Sequence, residues 1–358
     1  MAEEPAAIAP SLKITGLHVA GYRSIRQLDW PEDGLGWNST VPDIVLVGGA
    51  NGSGKTTLLE GLFGVFAGHG DIDSRQVFRG ASELRLDLRV SSEIFPGTRD
   101  LCLAIGDDGF VKSQQAAELD LIVRNGAKGD QLLTRSPSWR VFDKAAFDSD
   151  RYGDTDLPRV LYFPSDRRLN FPRPKDARAG SPFGDGDSPR FPGGDTMGFR
   201  FAAAKRYEDS LVALLHAARW SDLNAKDEGR PEEANEFASY VDAFHRFVGG
   251  GKQLTWHRGE LHVRMADGTL HDLPELSSGE KQILIFAAEI RKAWIPGSLV
   301  LIDEPELHLH EAWQTTLFEL IRDLQRERGG QVILATQSNH LFGLGEPGSQ
   351  VVLRKGWP

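Results

Sequence analysis

Cysteine is nearly missing from this chain: Cys102 is its single example. A disulfide within one copy needs two thiols and a cysteine-rich structural zinc site needs several, so both are excluded, and a reducing compartment fits. Long hydrophobic runs are missing too, since no stretch approaches the roughly 20 apolar residues of a membrane helix. The first ten residues, MAEEPAAIAP, carry acids where a secretory leader carries bases. The expectation is a cytoplasmic protein with no membrane partner. Positive charge is in short supply: 41 Lys and Arg stand against 51 Asp and Glu, a formal net charge of −10. Non-specific DNA affinity comes mainly from cations that neutralise phosphates, so a chain coated with DNA-attracting charge is disfavoured, while a local basic groove stays open. Neither a repeat of 20 to 50 residues nor sustained heptads is present, which excludes a solenoid and a long coiled-coil tether.

What is there suits one large or two modest globular domains: 358 residues, 40% of them hydrophobic and 26% charged. Residues 12–28 alternate and are rich in β-branched side chains, and Asp43 to Val47 (DIVLV) is a short apolar run of the kind a buried parallel strand needs. After a Gly-rich turn, TTLLEGLFGVFAG has helical spacing, giving the order strand, loop, helix. Leu84 to Val90, Leu101 to Ile105 and Leu119 to Val123 alternate between Gly, Asp and Pro turns, which predicts an antiparallel meander beside the main sheet. A strand at Val160 to Phe163 leads into residues 164–200, where apolar periodicity vanishes and a long mobile loop is expected. Arg167, Arg168, Arg173, Lys175, Arg178 and Arg190 fall there, and the Asp residues among them favour a solvated segment over a DNA contact. Helical patterns span 202–220 and 232–248, and a hairpin is expected around Asp267-Gly268. The two ends of the chain are read as sharing one sheet, with the middle inserted.

Three segments carry chemistry. Gly49-Ala50-Asn51-Gly52-Ser53-Gly54-Lys55-Thr56 fits GxxxxGK(S/T), in which backbone N–H groups and a helix N-terminus wrap a phosphate. In such a loop Lys55 neutralises the β and γ oxygens and the Thr56 hydroxyl ligates Mg²⁺; Thr57, next in the first turn of the helix, is expected among the nucleotide-binding residues. An accidental Gly-rich turn is the alternative, and the flanking strand and helix weigh against it. Ser298 to Glu304 (SLVLIDE) is an apolar strand ending in two acids. Asp303 is placed there to hold Mg²⁺ through water and Glu304 to align and deprotonate an attacking water, although a solvated Asp-Glu turn would look the same in isolation. Leu276 to Gln282 (LSSGEKQ) precedes an amphipathic run, and its residues alone read equally as a helix cap and capping box. His308 and His310 alternate with Leu307 and Leu309, a pattern that reads more simply as one polar face than as a metal site.

Taken together, these segments resemble the ABC-type ATPases. LSSGEKQ is similar to the ABC signature, and the order phosphate loop, signature, acidic strand is the ABC order. The resemblance narrows to the RecF/SMC/OLD-like branch, often called bacterial AAA family ATPases, on four cues: Gly21-Tyr22-Arg23-Ser24, Asn51, LSSGEKQ and DEPELHLH (303–310). It covers roughly the first and last 90 residues. It implies ATP and Mg²⁺ as cofactors, with Arg23 near the nucleotide and Ser277, Ser278, Gly279 and Glu280 acting on ATP held by a second copy. The segment after Glu304 would serve as a D-loop at the dimer seam. Two departures stand out: Gln337 occupies the position of the family's switch histidine, where it can hydrogen-bond but not become cationic, which implies slow turnover. The Q-loop, assigned to residues 165–167, lacks its glutamine.

The fold class expected is α/β: a P-loop NTPase of ABC-head type with a mostly parallel central sheet, an antiparallel β subdomain and a helical insertion. Its parts are expected at 1–163, 164–250 and 251–358. The function expected is an ATP-driven switch that dimerises through its heads and acts on a separate effector; the family resemblance implies that the effector is a nuclease or toxin and the setting bacterial anti-phage defence. The chain ends soon after its last strand, so no TOPRIM nuclease is expected within it. A DNA-repair clamp of RecF/SMC type is the first alternative and a transporter ATPase subunit the second.

Overall fold

The computed structural model describes residues 11–31, 41–67, 82–92, 97–114, 119–124, 131–141, 160–165, 204–231, 236–248, 251–258, 260–272, 275–276, 290, 294, 296–307 and 309–354. Along them run β1 (Ser11–Tyr22), β2 (Ile25–Trp30), β3 (Ile44–Gly48), α1 (Lys55–Ala67), β4 (Glu83–Ser91), β5 (Thr98–Gly106), α2 (Asp108–Gln114), β6 (Leu121–Arg124), β7 (Gln131–Arg135) and β8 (Val160–Phe163). The later elements are α3 (Ala204–Asp227), α4 (Glu236–Val248), β9 (Gln253–His257), β10 (Glu260–Arg264), β11 (Leu270–Asp272), β12 (Leu299–Asp303), α5 (Glu311–Arg328), β13 (Gln331–Thr336), α6 (Asn339–Gly343) and β14 (Gln350–Val352).

The strands that are apolar almost throughout form one five-stranded sheet in the order β14-β3-β13-β12-β8, every pair of it parallel. All five residues of β12 and all six of β13 are buried, as they must be where both faces of a sheet are covered. Alternate side chains feed different cores. Val45, Val47, Leu299, Leu301, Ile333 and Ala335 pack with α1 and the antiparallel sheet, whereas Leu46, Val300, Ile302, Val332 and Leu334 pack with α3, α4 and α5. The two ends of the chain thus meet in one sheet.

A second sheet has the order β2-β1-β4-β5-β6-β7. The run at 12–28 divides into two strands at Arg23-Ser24, where Gly21 (φ 63°) and Arg23 (φ 51°) turn the chain in the left-handed region. The expected meander is antiparallel at β4–β5 and β6–β7, but β5 and β6 run parallel. The reason is α2, a short crossover whose Val111 packs with Ala104 and Ile122. Alternation of apolar residues records which face is buried, not which way the neighbouring strand runs. The hairpin around Asp267-Gly268 is present as β10–β11, with Gly268 at φ 85°.

One side chain stitches the two sheets together. Gln331 is fully buried, and its amide acts as an extra peptide unit: Oε1 accepts from the Ile14 N–H at 2.8 Å, while Nε2 donates to the Ile14 and Pro42 carbonyls at 3.1 and 3.0 Å. The contact falls where the β1–β4 register shifts between Ile14 and Gly16, so Gln331 pairs backbone groups at an irregularity of the ladder. Gly16 leaves room there: a Cβ would lie 2.7 Å from an Asp87 carboxylate oxygen, which would have to shift.

Candidate functional site

In a parallel sheet every strand delivers its C-terminus to the same edge, and ligands of open α/β sheets sit outside that edge. The register fixes what collects there: Gly48 lies opposite Thr336, and Asp303 opposite Ala335. The loop 49–54, the Asp303-Glu304 turn and the Thr336-Gln337-Ser338 turn are therefore neighbours. A cleft of about 550 Å³ opens among Gly48 to Asn51, Thr336 to Asn339, Phe342 and Val352.

Residues Gly49, Asn51, Gly52, Ser53 and Gly54 form the loop leading into α1. Gly52 and Gly54 hold φ of 78° and 101°, values that L side chains rarely adopt. A Cβ on Gly49 would lie 2.5 Å from Ser53 Oγ and 2.7 Å from the Leu353 carbonyl, so the loop closes tightly on itself. Ser53 Oγ is buried with no hydrogen-bond partner among the described residues. Lys55 is 4% exposed, and its ammonium donates to the Gly49 carbonyl at 2.8 Å and the Ala50 carbonyl at 3.3 Å. The first turn of α1 holds no acidic residue of its own, and the positive end of the helix dipole faces the loop. Thr57 lies half-buried one residue further along that turn.

The Thr56 hydroxyl donates to Asp303 Oδ2 at 2.7 Å, across 247 residues of sequence. Asp303 is fully buried at the end of β12. A hydroxyl and a carboxylate converging beside a phosphate loop are hard oxygen donors of the kind Mg²⁺ prefers, and the residues present fit that ion. Glu304 takes φ 44°, a left-handed conformation unusual for a side-chain-bearing residue, and its N–H is tied to the Ala335 carbonyl at 2.8 Å. The turn swings the chain away from the sheet just after Asp303. Gln337 is exposed at the wall of the cleft, facing Gly49 to Asn51.

Arg23 sits in the β1–β2 turn. A Cβ on Gly54 would lie 2.8 Å from both Ser24 Oγ and Ile25 Cγ1, so this turn packs directly on the phosphate loop. The Arg23 guanidinium lies 5.3 Å over the Tyr22 ring and 3.8 Å from Glu60 on α1, and it does not line the cleft. Ser277, Ser278, Gly279 and Glu280 lie outside the described residues, as do His308 and all of the expected 165–167 segment except Ser165. His310 caps α5, Nδ1 accepting from the Ala312 N–H at 3.3 Å. No group of three metal-binding side chains occurs among the described residues. Cys102 is no nucleophile: burial, aided by the Asp87 carboxylate at 2.6 Å, pushes its thiol up to about 12.

Sequence reasoning passed over Glu306. It is 6% exposed, and a single oxygen, Oε1, accepts from the Thr336 hydroxyl at 2.5 Å, the Gln337 N–H at 2.9 Å and the Ser338 N–H at 3.2 Å. The only signal was its place in DEPE, and a string of acids after a strand does not say which of them turns inward.

A phosphate loop at a parallel-sheet edge, with a Ser/Thr–Asp pair beside it, defines the class: an α/β P-loop NTPase. The chain belongs to the AAA domain family described as putative AbiEii toxin, Type IV TA system, which it matches over residues 44–343. That is the bacterial AAA grouping to which the motifs pointed. No curated protein matches the sequence. Among solved structures it is similar to an Smc head bound to the C-winged helix domain of ScpA, at 15% identity and TM-score 0.48, over 92% of this chain and 91% of that one. It is also similar to an Smc head with an extended coiled coil bound to the C-terminal domain of ScpA derived from Pyrococcus furiosus, at 15% identity and TM-score 0.44, over 93% and 91%. A third is the SMC head from Thermotoga maritima, at 13% identity and TM-score 0.44, over 93% and 92%. Among the described residues, no helix is long and apolar enough to cross a membrane.

Proposed function

We propose that this chain binds ATP with Mg²⁺ and hydrolyses it, and that two copies dock head to head to do so. The observation that carries this reading is the convergence of Thr56 Oγ1 on Asp303 Oδ2 at 2.7 Å, beside Lys55 and the N-terminus of α1. The N–H groups of the glycine loop bind phosphate oxygens, and Lys55 exchanges its carbonyl partners for them. Thr56 and Asp303 are the residues that hold Mg²⁺, which supplies charge neutralisation on the phosphates when bound. Glu304, held in its left-handed turn, takes the proton of the attacking water, and Gln337 orients that water or the terminal phosphate. Gln337 hydrogen-bonds without gaining charge, so turnover is slow.

Ser277, Ser278, Gly279 and Glu280 complete the site of the opposite copy in this reading. Residues 1–163 and 251–358 form the ATPase head and 164–250 the insertion, in keeping with a sheet drawn from both ends of the chain. ATP-dependent closure switches a separate effector protein in the cytoplasm. The toxin and Type IV toxin–antitoxin terms in the family's description support a conflict role of this kind, with a nuclease or toxin as the effector.

The test is Glu304→Gln. Loss of a general base lowers turnover by about 100-fold or more, while ATP affinity stays near wild type. With ATP the variant accumulates as a nucleotide-bound dimer in analytical ultracentrifugation, and Ser277→Arg abolishes that dimer. Wild-type turnover in Glu304→Gln, or loss of ATP binding, removes the base assignment; a monomer that hydrolyses at full rate removes the dimer.

A further inference from the structure

Glu306 is a buried carboxylate that the reading above leaves without a task. An ionised carboxylate costs several kcal/mol to bury unless hydrogen bonds compensate, and among the described residues all of them fall on one oxygen and come from one turn. Thr336 Oγ1 donates to Glu306 and also accepts from the Ser338 N–H at 3.0 Å, so the turn is closed around the carboxylate. From the other side, Ser338 Oγ donates to Gln314 Oε1 at 2.6 Å and caps α6 through the Leu341 N–H at 3.2 Å. Gln314 on α5 donates in turn to the Leu309 carbonyl at 3.0 Å. The segment 303–309 and the turn 336–338 are thereby one hydrogen-bonded body, gripped at Glu306 and at Leu309. One end of that body carries Asp303 and Glu304, and the other carries Gln337 at the cleft wall.

We infer that Glu306 is a positioning residue for ATP hydrolysis: it anchors the Thr336-Gln337-Ser338 turn to the Asp303–Leu309 segment, so that Gln337 and Glu304 keep a fixed spacing and move together. The inference rests on the ATPase reading of the site. It also gives that reading a route for regulation, because anything that displaces 304–309, such as a second copy seated there, displaces Gln337 with it. The anchor acts on the chemical step and not on nucleotide affinity, since Glu306 is not among the residues lining the cleft.

Two variants separate anchoring from bulk stability. Glu306→Ala removes the acceptor. Glu306→Gln keeps an oxygen for the three donors, and its amide NH₂ takes the place of Oε2, which has no partner among the described residues and so meets no competing donor. In the nucleotide-free protein, Glu306→Ala speeds amide exchange across 336–338 by about tenfold or more, while exchange within β12 stays unchanged. In steady-state assays its kcat falls about tenfold or more with KM within about threefold, and Glu306→Gln recovers both exchange protection and kcat to within about threefold of wild type. Where Glu306→Ala fails to fold, Thr336→Val, which deletes one donor and the Ser338 acceptor, is read in its place and shows the same pattern at smaller size. Unchanged exchange, unchanged kcat, an effect confined to KM, or a glutamine variant as damaged as the alanine one each overturn the inference. Lys55→Ala serves as the control on the ATPase reading: if it turns over ATP like wild type, that reading fails, whereas the exchange data still judge the anchor by themselves.

Discussion

The two sheets spend their polar residues in opposite ways. In the parallel sheet the strands are apolar almost to their ends, and the chemistry-bearing side chains crowd one edge: Lys55, Thr56, Asp303, Glu304, Glu306 and Gln337. Several of them are buried, and Glu304 sits at a strained φ. In the antiparallel sheet, polar residues alternate with apolar ones along every strand of β1 and β4, and pair across the open face as Arg89–Asp100 and His18–Asp29. Burial makes a polar contact at the parallel edge costly to lose wherever water cannot replace the missing partner; exposure makes each contact on the antiparallel face nearly expendable. The proposed site and the costlier contacts therefore coincide on one sheet, and the other has the character of a tolerant brace.

Lys55→Ala tests the first half of that contrast and carries the largest expected effect. Deleting a buried ammonium aimed at phosphates weakens ATP binding by about 100-fold, or roughly 3 kcal/mol, as measured by calorimetry. Thermal stability without nucleotide changes little, since the two carbonyls that Lys55 holds can turn to water in the cleft. A variant that keeps its ATP affinity would break the assignment of this edge as the site.

Gln331→Leu probes the seam between the sheets and ranks second. It preserves size but strands the Ile14 N–H and carbonyl in the interior and leaves the half-buried Pro42 carbonyl without its partner, a loss of about 2 kcal/mol in denaturant unfolding. Affinity for ATP stays within about twofold, because the seam lies at the N-terminal end of β13, away from the cleft. A neutral stability effect would show that the two sheets need no polar stitch.

The difference between the sheets also governs what could be read from sequence. β3, β12 and the start of α1 were legible because apolar runs bounded by GxxxxGK(S/T) and DE mark their own ends. The placement of Asp303, Glu304 and Thr56 at one sheet edge was legible for the same reason, each being fixed to the end of an element that announces itself. Glu306 and Gln331 were not. Their roles depend on partners 30 and more than 280 residues away, and a Glu in an acidic turn or a Gln at a strand start looks like a surface residue. The parallel β5–β6 pair escaped because α2 has only two turns, too few for helical spacing to show.

The smallest effect is expected on the antiparallel face, at His18. On β1 it lies directly across from Asp29 on β2, Nδ1 to Oδ1 at 2.5 Å, and its Nε2 meets Glu83 on β4 at 2.9 Å, with Phe110 stacked 6.0 Å away. Arg85, its register partner on β4, is a like charge to the protonated ring on that strand. Burial alone lowers the His18 pKa, but hydrogen bonds and the negative charges of Asp29 and Glu83 outweigh it and raise the group above its ordinary 6.5. Asp29 is shifted down, burial being outweighed by its bonds to His18 and Gln27, so it stays charged throughout the range above its ordinary 3.8. A histidine raised on folding contributes stability in full below pH 6.5, and that contribution drains away as pH rises through the folded value. Wild type should therefore exceed His18→Ala by about 1 kcal/mol at pH 5.5, the sum of two cross-strand charge pairs, with the gap narrowing by pH 8.5 in chemical denaturation. An equal gap at both pH values removes the charge pairs as its cause, and any change in ATP affinity beyond about twofold would show that the brace reaches the working edge after all.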